Sequence, residues 1–279
     1  MRHAYRSGTG GAITTPLAAE IAPLADAGAT LHVAPVAQPN PFSQESWPCR
    51  CEWGPVAPTA LAPADVTIVI DVLSFTTCVD VATSRGVVLL PFRWSDWSDP
   101  ALAEFARAHH AEPAGKRNHA RYTLAPESYL DAPAGLRVAL PSPNGAMVSL
   151  AAAPASRVLL AGCLRNARAV AAAAARLGTT FNVVPAGERW PDGSLRPALE
   201  DLLGAGAILS HLPGNRSPDA RAAVTVFDQY KDSLAAALAD SASGRELDAR
   251  GHLKDKEIAA QLNVSETVPK FDGDAFVAS

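Results

Sequence analysis

The chain is poor in the features that mark several common functional classes. Its 24 Lys and Arg are outnumbered by 28 Asp and Glu, giving a formal charge of −4 and a pI near 6.0. They form no basic run, and a nucleic-acid surface needs clustered cations, so no nucleic acid is expected among its partners. No apolar stretch is long enough for a bilayer span, so no membrane association is expected either. The Ala-rich segment 169–175 is too short and is flanked by Arg168 and Arg176. The N-terminus opens with charge but has no firm apolar core or cleavage site, which argues against a secretory leader and makes the cytoplasm the expected location. There are four cysteines. Cys49 and Cys51 form a C-x-C without a second pair to complete a zinc site. Cys78 falls inside a helical pattern. Cys163 follows a strand, but as a nucleophile it would have only Arg165 to lower its pKa. The sequence has no G-x-x-x-x-G-K-[ST] loop, no G-x-G-x-x-G and no G-x-S-x-G elbow.

What is present is organised around residues 65–86, DVTIVIDVLSFTTCVDVATSRG. Its opening run of β-formers lacks alternation, as a strand buried on both faces does. Asp71 stands where that strand ends, the place where open α/β sheets bind ligands. Ser74, Thr76 and Thr77 follow at a helix start, where free N–H groups and the positive dipole end favour an anion. The helix is predicted from about Phe75 to Arg85, with Gly86 as its left-handed stop.

Further strands are predicted at 87–92, 136–141, 157–162 and 180–187, with an edge strand near Arg50–Trp53. Asp99 and Pro100 read as N-cap and first residue of a helix ending at His109 and His110. Asn166 is the expected N-cap, and Gly178 the stop, of the helix ARAVAAAAARL. Pro197 is expected to begin the helix that carries Glu200 and Asp201. From Ser217 onward the pattern is helical, until two short strand candidates, TVPKF and AFVAS, close the chain. Repeated strand-to-helix alternation predicts an α/β fold, three-layer α/β/α with a mostly parallel sheet, and leaves room for an internal duplication. Residues 1–40 show no sustained period and read as a poorly ordered N-terminal extension to a domain over 41–279.

Four strands end in small or polar residues: Asp71-Val-Leu-Ser, Ser142-Pro-Asn-Gly, Gly162-Cys-Leu-Arg-Asn and Gly187-Glu-Arg-Trp. As parallel neighbours they would open on one edge. Asn144 and Gly145 suit a tight turn as well as a ligand contact. Glu200 and Asp201, in the first turn of their helix, suit its dipole. With Asp71 they also make an oxygen donor set for Mg²⁺, which takes one or two carboxylates with waters and substrate phosphate. Leu73 stands two residues after Asp71 where D-x-D phosphatases have a second Asp, which favours direct attack by water over an aspartyl-phosphate.

At IDVLSFTT (70–77), SPNGA (142–146), GCLRN (162–166), PAGERWPDGSLRPALEDLLGAGAI (185–208) and SGRELDARGHLKDKEIAAQLNVSETVPKF (243–271) the chain resembles the 2-phosphosulfolactate phosphatase family, enzymes associated with coenzyme M biosynthesis. The resemblance covers roughly residues 45–279. It implies a three-layer α/β/α fold, a bound Mg²⁺ and hydrolysis of a small phosphate ester. It also implies that Asp71, Thr76, Thr77, Asn144, Gly145, Asn166, Glu200 and Asp201 line the site. There are departures: an Arg-Ala after Asp-Val-Leu is here Ser74-Phe75, a Thr-Thr-Asn-Gly-Thr segment is Pro141 to Ala146, and a Glu-Arg-Gly-Gly segment appears only as Lys116-Arg117-Asn118. Replacing that Arg removes a planar bidentate donor.

The expectation is a phosphatase in which Asp71, Glu200 and Asp201 position Mg²⁺ and form the catalytic set. Glu200 orients water, Ser74, Thr76 and Thr77 cradle phosphate, and Arg165 and Arg189 meet the second anionic group. The partner is a small-molecule phosphate ester, with homo-oligomer formation left open. The rival expectations are a same-fold phosphatase for another phosphorylated hydroxy acid and a non-catalytic anion-binding protein.

Overall fold

The computed structural model describes residues 40–279. In chain order its strands are Cys49–Cys51 (β1), Val66–Ile70 (β2), Val88–Arg93 (β3), Glu112–Pro113 (β4), Arg137–Ser142 (β5), Val158–Gly162 (β6), Phe181–Pro185 (β7), Glu188–Arg189 (β8), Leu195–Arg196 (β9), Pro269–Phe271 (β10) and Phe276–Ala278 (β11). Its helices are Ala57–Ala60 (α1), Phe75–Ser84 (α2), Pro100–Ala108 (α3), Gly145–Ala152 (α4), Ala167–Leu177 (α5), Leu199–His211 (α6), Pro218–Tyr230 (α7), Leu234–Asp240 (α8), Ala242–Ala249 (α9) and Leu253–Ala259 (α10).

Every residue of β2 is buried, and the strand lies between β6 and β7, parallel to both. Val66, Ile68 and Ile70 enter one core with α5, α6 and α7, while Val69 enters another with α2 and α4. Covered faces on both sides are why the run carries no polar alternation. The main sheet has nine strands in the order β1-β7-β2-β6-β10-β11-β3-β5-β4. Helices cover both faces, so the fold is a three-layer α/β/α with a mostly parallel sheet.

The two closing strand candidates form a hairpin whose position the sequence does not reveal. β10 and β11 sit mid-sheet, antiparallel to each other and to their neighbours β6 and β3. They join a parallel group β1-β7-β2-β6 to a second parallel group β3-β5-β4. Three antiparallel steps in succession make the groups run in opposite directions. Thus β2, β6 and β7 open on one edge as neighbours, and β5 belongs to the other group. Five strand spacings separate β2 from β5, roughly 24 Å along a flat sheet. Yet the amide of Gly145, just beyond β5, is 2.7 Å from the Asp71 carboxylate, just beyond β2. The sheet therefore bends back on itself, with α2 and α4 in the bend.

Local signals are met in most places. The Asp99 carboxylate accepts the Ala101 N–H at 2.9 Å to cap α3 behind Pro100. His109 sits at the end of that helix, its ring 2.8 Å from the Phe105 carbonyl. Gly86 has φ +77°, the left-handed stop expected of it. Four details differ. Asn166 makes no side-chain cap on α5 and instead accepts the Cys163 N–H at 2.9 Å, bracing the turn behind it. Helix α6 begins at Leu199, after Pro197. The helical stretch after Ser217 breaks between Tyr230 and Leu234. The loop ERWPDGSLRP folds as the hairpin β8–β9. All four cysteines are free and buried, and burial raises the Cys163 thiol far from the thiolate form. Among the described residues no helix is long and apolar enough to cross a membrane. Residues 1–39 of the expected extension lie outside the described residues.

Candidate active site

Asp71, 4% exposed, is fixed by three donors. The Phe75 N–H donates to Oδ1 at 3.1 Å, and the Gly145 N–H and Ser142 hydroxyl donate to Oδ2 at 2.7 and 3.4 Å. One carboxylate thus ties the starts of α2 and α4 to the end of β2. A Cβ on Gly145 would stand 2.6 Å from Asp71 Oδ2 and 2.6 Å from the Phe75 ring, so the close approach requires glycine.

Asp201 holds the next strand end. Its Oδ1 accepts the Val72 N–H and its Oδ2 the Gly187 N–H, both at 2.8 Å. Gly187 reaches that carboxylate with φ +68°. Glu200 is 2% exposed, and among the described residues no donor is hydrogen-bonded to its carboxylate. Glu188, the first residue of β8, is the acidic member that sequence reasoning missed. The Asn144 side-chain amide donates to its Oε2 at 2.9 Å. The signal was its position directly after Gly187 at the end of β7, where the other strand-end residues point to a site.

Ser74 is buried and lines a cleft of about 720 Å³ that also reaches Glu188, Pro143, Lys116 and His119. Thr76 and Thr77 spend their hydroxyls on the backbone. Thr76 Oγ1 accepts the Asp71 N–H and donates to the Asp71 carbonyl, both at 2.9 Å, and Thr77 donates to the Val72 carbonyl at 2.8 Å. Arg165 is bound away from the carboxylates: its Nε is 2.8 Å from Asp80 and its Nη1 reaches Gln261. Ser265 completes that clasp at 2.6 Å from Asp80, tying α2 to the C-terminal segment. Asn166 lies with it, fully buried. Arg189 is exposed on β8, donating to the Gly193 carbonyl at 3.0 Å and, at 3.5 Å, to the Pro143 carbonyl. The structure therefore brings Asp71, Ser74, Asn144, Gly145, Glu200 and Asp201 together, with Arg189 at the rim, and leaves Arg165 and Asn166 in a separate structural clasp.

Three buried carboxylates, Asp71, Glu200 and Asp201, share this edge with the half-buried Glu188. Burial, and then Glu200, push Asp71 up to about 6 against the pull of the Phe75 and Gly145 amides. Burial and Asp71 push Glu188 up to about 7. Burial, Asp71 and Glu200 raise Asp201 well above the usual carboxylate range. A raised acid in the folded state binds protons that the unfolded chain has released, so its contribution is full below the unfolded value and is lost as pH rises through the folded one. Between about pH 4 and 7 the metal-free protein is therefore expected to lose stability. At about 1.4 kcal/mol per tenfold change in proton affinity, Glu188 alone, raised from 4.5 to about 7, accounts for on the order of 3 kcal/mol. Thermal melts in chelator at pH 5 and 8 should show a smaller drop for Glu188→Gln than for the unaltered chain. Equal drops would remove Glu188 from the cluster.

Among the described residues no three His, Cys, Asp or Glu side chains converge closely enough to hold a metal ion as a cage. The oxygens of Asp71 and Asp201 already accept backbone amides, whereas Glu200 is free of them. An all-oxygen set with few open ligands fits Mg²⁺ held partly through water and substrate, and does not fit a tetrahedral zinc centre.

Fold and site together define an α/β protein with a cluster of carboxylates where its strands end. Residues 56–274 match the family described as 2-phosphosulpholactate phosphatase, and the chain belongs to that family. Over 112 residues it is 34% identical to the 2-phosphosulfolactate phosphatase of Methanothermobacter thermautotrophicus. That stretch is 40% of this chain and 47% of the relative, so the chain spans about half the length of the curated relative it matches.

Proposed function

We propose that the chain is a Mg²⁺-dependent phosphatase that hydrolyses the phosphate monoester of a small acid, with 2-phosphosulfolactate as the first substrate to test. The observation that carries the reading is the cluster of the carboxylates Asp71, Glu188 and Glu200, of which Glu188 lines the cleft beside Ser74, in a chain of this family. Mg²⁺, when bound by Asp71 with Glu200 and Asp201, directly or through water, supplies positive charge to the phosphoryl oxygens. The residues do the rest. Ser74 faces the cleft beside the carboxylates and is placed to meet a phosphoryl oxygen. Glu200, to which none of the described residues donates, takes a proton as water oxygen bonds to phosphorus. Glu188, which holds a proton near neutrality, gives it to the ester oxygen as the P–O bond breaks. The products are the free hydroxy acid and inorganic phosphate, and proton transfer between the two glutamates restores the site.

Ser74-Phe75 in place of Arg-Ala supports a related reading, in which the substrate is another phosphorylated hydroxy acid. The free, buried thiols suit the reducing cytoplasm. The test is phosphate release from racemic 2-phosphosulfolactate, 2-phospholactate and phosphoglycolate, with Mg²⁺ and with chelator. Metal-dependent release is expected, with the sulfonate the best of these three small esters. Release from a different ester replaces the substrate, and folded protein that binds phosphate yet releases none points to an anion-binding protein.

A further inference from the structure

The cleft at Ser74 and Glu188 is larger than a three-carbon dianion requires, and part of its otherwise polar lining is an apolar, aromatic wall. Its volume of about 720 Å³ lies within the roughly 300–1,000 Å³ that encloses ligands of drug size. Trp94 and Trp97, on the connection between β3 and α3, both line it, and so does Leu247 of α9. The two indoles meet edge-on with centroids 5.0 Å apart and remain only half-buried. Among the described residues neither indole N–H has a hydrogen-bond partner. Aromatic faces with a free polar edge, held beside a reaction site, suit a planar group of a ligand. The cleft's cations are unequal. Arg117 is bound to Asp255 and the Leu124 carbonyl, and Arg250 is bound to Glu246 at 2.5 Å. Lys116 is exposed and, among the described residues, has no acidic partner.

Resting on the phosphatase reading, we infer that the substrate is the phosphate ester of a 2-hydroxy acid bearing an aryl side chain. The phosphate lies at Ser74 and Glu188, the aryl group against Trp94, Trp97 and Leu247, and the second anion within reach of Lys116. A three-carbon sulfonate would leave the indole faces in water and most of the volume unfilled.

The experiment compares kcat/KM for Mg²⁺-supported phosphate release from racemic 2-phospho-3-phenyllactate, 2-phospholactate and 2-phosphosulfolactate. The aryl ester is expected to exceed 2-phospholactate by about tenfold, the effect of burying part of a ring. That ratio should fall to about one in Trp97→Ala and persist in Trp97→Phe, with melting temperatures recorded for both. In the unaltered protein, 3-phenyllactate should inhibit at about one-tenth the concentration of lactate, which tests the aryl pocket without any variant. The inference is overturned if either small ester matches the aryl ester, or if the preference survives Trp97→Ala. Silence with all three esters overturns the phosphatase reading itself, and this inference with it.

Discussion

Asp71→Asn is expected to lower kcat for phosphate release by about 10³, the scale of losing a carboxylate that would hold the cation at the phosphoryl group, while the protein stays folded. Asparagine is the sharper test than alanine because Asp71 is also structural. It accepts the Phe75 and Gly145 amides and the Ser142 hydroxyl. Alanine would orphan those donors at about 1–3 kcal/mol for each buried group. Asparagine keeps one acceptor and turns an amide group toward the remaining donor, so it too is destabilising, but by less. With about 2–4 °C per kcal/mol for a domain of this size, a drop of several degrees in Tm is expected, larger for Asp71→Ala. The activity loss should be nearly the same in both variants, and that separates chemistry from stability. Assayed well below Tm, a folded Asp71→Asn protein retaining activity within tenfold of the unaltered chain would remove Asp71 from the reaction.

Elements whose identity depends on neighbours in sequence were readable before the structure. β2 declared itself by a run of β-formers without polar alternation because both its faces are covered, and α3 by an Asp-Pro start that the Asp99 carboxylate caps. Gly86 ends α2 because only a residue tolerant of positive φ fits there. Features set by distant partners were not readable. Short strand signals in TVPKF and AFVAS do not say that the hairpin enters mid-sheet, nor that the sheet bends there. A hydroxyl at a helix start can face a ligand or its own turn; Thr76 and Thr77 face the turn, and only the path of the chain from Asp71 to Phe75 decides it. Glu188 looked like one more polar loop residue until β8–β9 folded back and set it against Asn144. Arg165 looked like a phosphate clamp because its partner Asp80 is remote in sequence and sits on α2.

Gly145→Ala should be the most damaging single-methyl change in the site. The added Cβ would lie 2.6 Å from Asp71 Oδ2 and 2.7 Å from Phe75 Cβ, too close for either to remain where it is. Phe75 has no room to yield: it is fully buried and meets Phe276 edge-on, with centroids 6.3 Å apart. Alanine at a helix start would ordinarily gain about 0.4–1 kcal/mol by restricting the unfolded chain. Overpacking a buried contact costs about 1–3 kcal/mol, so the net stability change is modest. The functional change is not modest, because relief comes only by lifting the start of α4 and lengthening the 2.7 Å bond from Gly145 to Asp71. Asp71 then loses its closest donor, and Asn144, one residue away, moves off Glu188. A displacement of about 1 Å in a positioned group can cost about 100-fold in rate. The expected result is kcat reduced by about two orders of magnitude with Tm lowered by only a few degrees. A folded Gly145→Ala protein with kcat within threefold of the unaltered chain would mean that the junction of α2, α4 and β2 does not carry the chemistry.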